Sequence, residues 1–160
     1  MIDVRIICVG KLKEKFLREG CEEYIKRLSR FCRIEVIELP ESRLPDSPSQ
    51  SQISACLEEE GKAILAKVPK DLAKIAMCIE GQMLSSEKLS DSFDKFLTKG
   101  FGGFCFIIGS SFGLCDSVKN SADFKLSMSP MTFPHQLARM MLLEQIYRAF
   151  QISSGGKYHK

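Results

Sequence analysis

The chain has no tryptophan and only two histidines, His135 and His159. Seven cysteines are present but no C-x-x-C pair, so no Cys/His zinc spacing can be assembled and no metal site is expected. Several of the thiols, such as Cys8, Cys78 and Cys105, lie in apolar runs, where reduced cysteine packs as a small hydrophobe. That usage fits a reducing compartment, with the cytoplasm as the default. Long hydrophobic runs are missing too. The most apolar stretch, Phe104–Ile108, is far too short to span a bilayer. Asp3 and Arg5 interrupt the apolar N-terminus, which argues against a secretory signal. Neither G-x-G-x-x-G nor G-x-x-x-x-G-K-[ST] occurs, so dinucleotide and nucleoside triphosphate sites lack their usual chemistry.

What remains is 160 residues, 44% hydrophobic and 27% charged, which predicts one globular domain over 1–160 with its own core. Charge is unevenly spread. Residues 1–33 carry nine Lys/Arg against five Asp/Glu, and residues 134–160 carry four against one. The stretch between them is net acidic. Basic ends on an acidic body are compatible with nucleic acid touching the termini, the alternative being ordinary variation of a solvated surface.

Hydrophobic spacing predicts strands over Ile2–Val9, Ile34–Leu39, Ile75–Glu80, Phe104–Ile108 and Phe124–Ser129. Helices are predicted over Glu14–Ser29, Ile53–Val68, Ser85–Thr98, Cys115–Ala122 and Met131–Gln151, the last with Pro134 in its first turn. Pro40–Gln52 reads as a loop and Ile152–Lys160 as an aperiodic tail. Alternation of strand and helix predicts an α/β domain with a mostly parallel sheet of about five strands flanked by helices. In such sheets ligands bind beyond the carboxyl ends of the strands, here the turns at Glu80–Gln82, Gly109–Leu114 and Ser127–Met131.

Gly109 and Gly113 let backbone N–H groups approach a ligand, although a plain strand-to-helix turn reads the same way. Pro130 and Pro134 stiffen an otherwise apolar loop, giving either a preformed wall for a flat heteroaromatic ring or a rigid helix entry. Leu137, Met140, Met141, Leu143, Ile146, Tyr147 and Phe150 make a broad apolar face on the last helix, wide enough to include a subunit interface. Glu144 and Arg148, at i and i+4, read as a surface ion pair. The closing Lys157-Tyr158-His159-Lys160 combines an aromatic with cations, as single-stranded nucleic-acid sites do, or is a frayed end.

Phe106–Leu114, Leu126–Arg139, Leu143–Phe150 and Tyr158–Lys160, with Ile6–Lys15 and Glu80–Ser86, together resemble the RlmH family of SPOUT-class methyltransferases, which modify a pseudouridine of large-subunit ribosomal RNA. The resemblance spans the whole chain. It implies an α/β fold with a C-terminal trefoil knot, and a cytoplasmic homodimer that uses S-adenosyl-L-methionine to methylate N3 of a pseudouridine in 23S ribosomal RNA. Cofactor positions would fall on Met77, Gly109, Met128, Ser129, Pro130, Met131, Thr132 and Phe133. Arg148, Tyr158 and His159 would face the substrate, as would the tail as a whole, including Lys157 and Lys160. The partner's Lys11, Lys13, Lys15 and Arg18 are expected to add to the RNA platform, free or in the assembled ribosome. Met77 stands where the family usually has leucine, Cys78 where it has an acid, Ser110 for a second glycine, and Pro130 for a commonly basic residue. Ser154 and Gly156 replace a frequent arginine and glutamate.

A uracil-type N3 attacks well only as its proton leaves, and His159 is the one tail group that titrates near neutrality. The expected roles are therefore His159 as base, Arg148 or Lys160 against the charge developing on the adjacent carbonyl, and Tyr158 as a stacking ring. The competing reading is a ribosome- or RNA-binding module that keeps the fold without catalysis.

Overall fold

A computed structural model describes all 160 residues, Met1–Lys160. Five strands, β1 (Ile2–Val9), β2 (Cys32–Leu39), β3 (Leu72–Met83), β4 (Gly103–Ile108) and β5 (Phe124–Ser127), form one sheet in the order β2-β1-β4-β3-β5. Every pairing is parallel. Between them run α1 (Lys15–Leu28), α2 (Gln50–Lys67), α3 (Ser86–Thr98) and α4 (Asp116–Ser121), and the chain continues into α5 (His135–Ser153). No helix is long and apolar enough to cross a membrane.

The two central strands explain the sheet. All six residues of β4 are buried, as are Val4 and Ile6–Val9 of β1, so both faces must be covered, and β4 and the Ile6–Val9 half of β1 read as apolar runs. One face packs against α1, α3 and α5, with Phe93 of α3 stacked on Phe104 of β4 at 4.1 Å between ring centres. Ile7, Val9, Cys105 and Ile107 turn to the other face, where Ile64 of α2 and Val118 of α4 meet them. The helix α5 lies against both α1 and α3, a path compatible with the knotted threading that the resemblance implies.

Several boundaries differ from the sequence expectation. The helix α2 starts at Gln50 because Ser49 caps it, accepting from the Gln52 N–H while the Gln52 side chain accepts from the Ser49 N–H. The expected turn at Glu80–Gln82 is instead part of β3, which jumps register against β5 between Met77 and Gln82 and so runs on to Met83. The last helix begins at His135, not Met131, with Pro134 as its cap, and Ile152 and Ser153 belong to it rather than to the tail.

Candidate functional site

The carboxyl ends of β3, β4 and β5 converge on a cavity of about 330 Å³. Its walls are the second half of β3 around its register jump (Met77–Glu80), the turn Gly109–Leu114 after β4, and Met128–Phe133 before α5, with Lys119, His135 and Ala138 alongside. A cavity of this size, mostly apolar with a few polar groups, suits a small organic ligand.

The Gly109–Leu114 turn folds back on itself. Ser110 and Gly113 form a bridge in which the Gly113 N–H donates to the Ser110 carbonyl at 2.9 Å. A side chain at Gly109 would place its first carbon 2.2 Å from the Gly113 oxygen, so the tight return requires glycine there. The apolar side chains Ile79, Phe112 and Met131 stand exposed around the mouth. Also in the lining, Lys119 pairs with Glu80, which holds that carboxyl below its usual range. Cys78 also lines the cavity, and burial pushes its thiol up.

Seven of the eight expected cofactor positions line this cavity: Met77, Gly109, Met128, Ser129, Met131, Thr132 and Phe133. Pro130 does not. The Met131 N–H donates to Ser129 Oγ at 3.0 Å, closing a small turn that leaves Pro130 exposed at its apex.

A second cavity of about 390 Å³ adjoins the first, sharing Met77, Leu126, Ser127 and Met128, and extends to Glu144, Gln145 and Ser85. At that end the tail folds back onto α5. Tyr158 Oη–H donates to Glu144 at 3.1 Å, and the Arg148 guanidinium, itself paired to Glu144, lies 4.7 Å over the Tyr158 ring. Burial first, then contacts with Tyr24 and Glu144, pushes the Tyr158 phenol up. His159 Nδ1 faces an Arg148 nitrogen at 3.3 Å, and Nε2 faces Glu87 at 2.7 Å. Glu87 is held below its usual range, mainly by its own backbone N–H in the first turn of α3 and then by His159. Arg148, Tyr158 and His159 therefore meet one another, but none lines the first cavity of its own chain.

Lys11, Lys13 and Lys15 are exposed on and before α1; Arg18, also exposed, donates to the Leu12 and Lys13 carbonyls, and Lys15 faces Glu19. Lys157 and Lys160 are exposed on the tail. No group of three or more His, Cys, Asp and Glu residues is placed to hold a metal ion.

The sequence reading missed Arg139, which is 3% exposed on α5 and donates to Glu38 at 2.7 Å and to the Gly10 carbonyl at 3.0 Å. It also missed the lining by Ile79, Glu80 and Lys119, and the docking of His159 on Glu87.

A family profile described as "Predicted SPOUT methyltransferase" matches residues 2–159. The chain belongs to the SPOUT methyltransferase family. It is 48% identical to a Bacillus pumilus protein named ribosomal RNA large subunit methyltransferase H, and 45% identical to the protein of that name from Clostridioides difficile. Each match covers 99% of this chain and 100% of the relative. Among solved structures, a probable methyltransferase from Bordetella pertussis Tohama I superposes with a TM-score of 0.56 at 13% identity, over 93% of this chain and 96% of that one. A probable methylase family protein from Haemophilus influenzae Rd KW20 gives 0.54 at 10% identity, over 100% and 72%. These two likenesses speak to the SPOUT fold alone, and the cavity sits on that fold at the strand ends.

Proposed function

We propose that this protein transfers the methyl group of S-adenosylmethionine to N3 of a pseudouridine in large-subunit ribosomal RNA. Full-length identity approaching one half to proteins named for ribosomal RNA methylation carries the reading. The cavity supports it. Met77, Ile108, Leu126 and Met128 offer apolar contact for an adenine ring, and the backbone of Gly109–Gly113 and Ser129–Phe133 offers N–H and carbonyl groups for its polar edges. The residues present therefore fit the donor, which when bound supplies an electrophilic methyl on a positively charged sulfur.

The chain's own work is alignment and proton management. The turns Gly109–Leu114 and Met128–Phe133 would hold the donor and keep water from it. Arg148 would face the charge that develops on the base as its N3 proton leaves, with Lys160 the other candidate, and Tyr158 would stack on the ring. His159 is the candidate acceptor of that proton. Arg148 can only donate, so in the docked tail Nδ1 accepts from it and Nε2–H donates to Glu87. His159 can serve as a base only after the tail leaves this position.

Because the tail does not line its own chain's cavity, a homodimer in which each tail serves the partner's donor site is part of the proposal. The apolar rim of Ile79, Met83, Phe112 and Met131 would supply contact surface. Lys11, Lys13, Lys15, Arg18, Lys157 and Lys160 would meet RNA phosphates, and the cytoplasm, where ribosomes lie, would be the setting. The deciding experiment is incubation of the purified protein with S-adenosylmethionine and unmodified ribosomes or free ribosomal RNA, followed by mass spectrometry of the RNA. A single methyl on a pseudouridine is expected. Donor binding without transfer to either RNA form would favour the non-catalytic module.

A further inference from the structure

We infer that Glu60 is a positioning residue for the donor site: its buried carboxylate fixes Ser110, and through Ser110 the Gly109–Leu114 wall. The inference rests on reading that cavity as the S-adenosylmethionine site. Glu60 lies on α2, 5% exposed, and is not itself in the cavity lining. One of its oxygens accepts from Ser110 Oγ–H at 2.9 Å, and the other faces the Ser42 N–H at 3.3 Å. None of the ion pairs in the protein includes Glu60. A carboxylate withdrawn from water without a cation is costly to keep, and an apolar side chain would pack α2 without that cost. What the carboxylate adds is an acceptor for the cavity wall.

The wall needs one. Ser111, Phe112 and Gly113 are exposed, and the turn's internal bond from Gly113 to Ser110 fixes its shape but not its position. Ser110 is 6% exposed and sits at the stem, where a tether to a packed helix sets the position of the whole turn. The helix α2 is a firm anchor at that height. At Gly61 it approaches so closely that an added side-chain carbon would lie 2.4 Å from Cys115 Sγ, just past the turn.

The test is calorimetric titration of S-adenosylmethionine into the unaltered protein and into Ser110→Ala, Glu60→Ala, Glu60→Gln and the double Glu60→Ala/Ser110→Ala, each first shown folded by thermal melting. Ser110→Ala and Glu60→Ala are each expected to weaken binding about tenfold, the scale of one lost hydrogen bond to a buried charged group. The double variant should be no weaker than either single one, because both remove the same tether. Glu60→Gln should bind within about threefold of the unaltered protein, since a serine hydroxyl bonds an amide as donor or acceptor. Should Glu60→Ala fail to fold, Ser110→Ala and Glu60→Gln still decide. Single variants that bind as the unaltered protein does, losses that multiply in the double, or a Glu60→Gln as poor as Glu60→Ala would overturn the inference alone. Failure of the unaltered protein to bind the donor would overturn the site reading and this inference together.

Discussion

Arg148 and His159 meet with the imidazole Nδ1 only 3.3 Å from a guanidinium nitrogen, so the side chain expected to accept a proton has its lone pair against a cation. The other ring nitrogen is committed to Glu87 at 2.7 Å. Proton transfer and tail docking thus compete for the same imidazole. In single-turnover methylation, His159→Ala is expected to lose about a hundredfold or more in rate and to flatten the rise of rate with pH near neutrality. A His159→Ala protein that keeps the parental pH profile removes the base assignment and leaves the tail a purely positioning role.

Docking itself has a pH signature. The folded chain holds the Glu87 carboxyl below its ordinary value of 4.5, first through its own backbone N–H and then through His159, so the His159 share of that stabilisation is complete above 4.5 and is lost as pH falls through the lowered value. The chain has no tryptophan, so Lys160→Trp gives a single fluorescent reporter on the tail. Its emission should move to the red as the solution is acidified below about pH 4.5. Adding Glu87→Ala should produce the same shift at neutral pH. An unchanged spectrum in that variant would show that Glu87 does not hold the tail.

Cys78 is half-buried in the cavity wall, whereas the other six thiols are buried. Burial holds Cys8, Cys32 and Cys105 up to about 12, so they stay protonated and unreactive at neutral pH. A chromogenic disulfide reagent at pH 8 should therefore titrate one thiol quickly relative to the six buried ones in the native protein, on access although partial burial pushes Cys78 up as well, and all seven in denaturant. S-adenosylmethionine should slow the fast reaction, and Cys78→Ala should abolish it. Fast modification that the donor leaves unaffected would place donor binding away from Met77–Glu80.

How far the sequence could be read depended on where each element's partners lie. The strand β4 and the Ile6–Val9 half of β1 were plain, because burial on both faces leaves continuous apolar runs there. The strand β3 looked shorter than it is: beyond Cys78 its residues are largely exposed, and their pairing with β5 resumes only after a register jump that no local pattern encodes. The start of α5 was placed too early because Met131 and Phe133 continue its apolar spacing, yet they line the cavity. The expected cofactor positions came from the resemblance, and seven of them line one cavity while Pro130 stands exposed beside its lining. Arg139 and Glu60 stayed hidden for a common reason. A charge on an amphipathic helix reads as solvent-facing, and the groups that bury these two lie 101 and 50 residues away.

Arg139 supports a prediction about stability. Its guanidinium joins α5 to the ends of β1 and β2 through Gly10 and Glu38. Only the Arg139 side of the pair is buried, so without it the exposed Glu38 returns to water while the Gly10 carbonyl loses its donor. Arg139→Ala should cost about 1–3 kcal/mol in a urea unfolding titration. Arg139→Lys, which keeps the charge but not the fork, should fall between the two. A loss below about 1 kcal/mol for alanine would mean that the contact is no stronger than a surface pair.

The basic residues before and on α1 separate RNA contact from donor contact. Lys11, Lys13 and Lys15 are exposed, none lines the first cavity, and only Lys15 has an acidic neighbour, Glu19 at 3.7 Å. Arg18 donates to the Leu12 and Lys13 carbonyls, so replacing it would disturb the loop as well as the charge. The cleaner variant is Lys11→Ala/Lys13→Ala/Lys15→Ala. Each lost phosphate contact should lower the slope of log affinity against log salt by about 0.7–0.9. RNA binding is thus expected to weaken markedly at low salt and converge with the unaltered protein at high salt, while calorimetric donor affinity stays the same. Equal RNA affinities at every salt concentration would remove this surface from the RNA platform and leave phosphate contact to the tail.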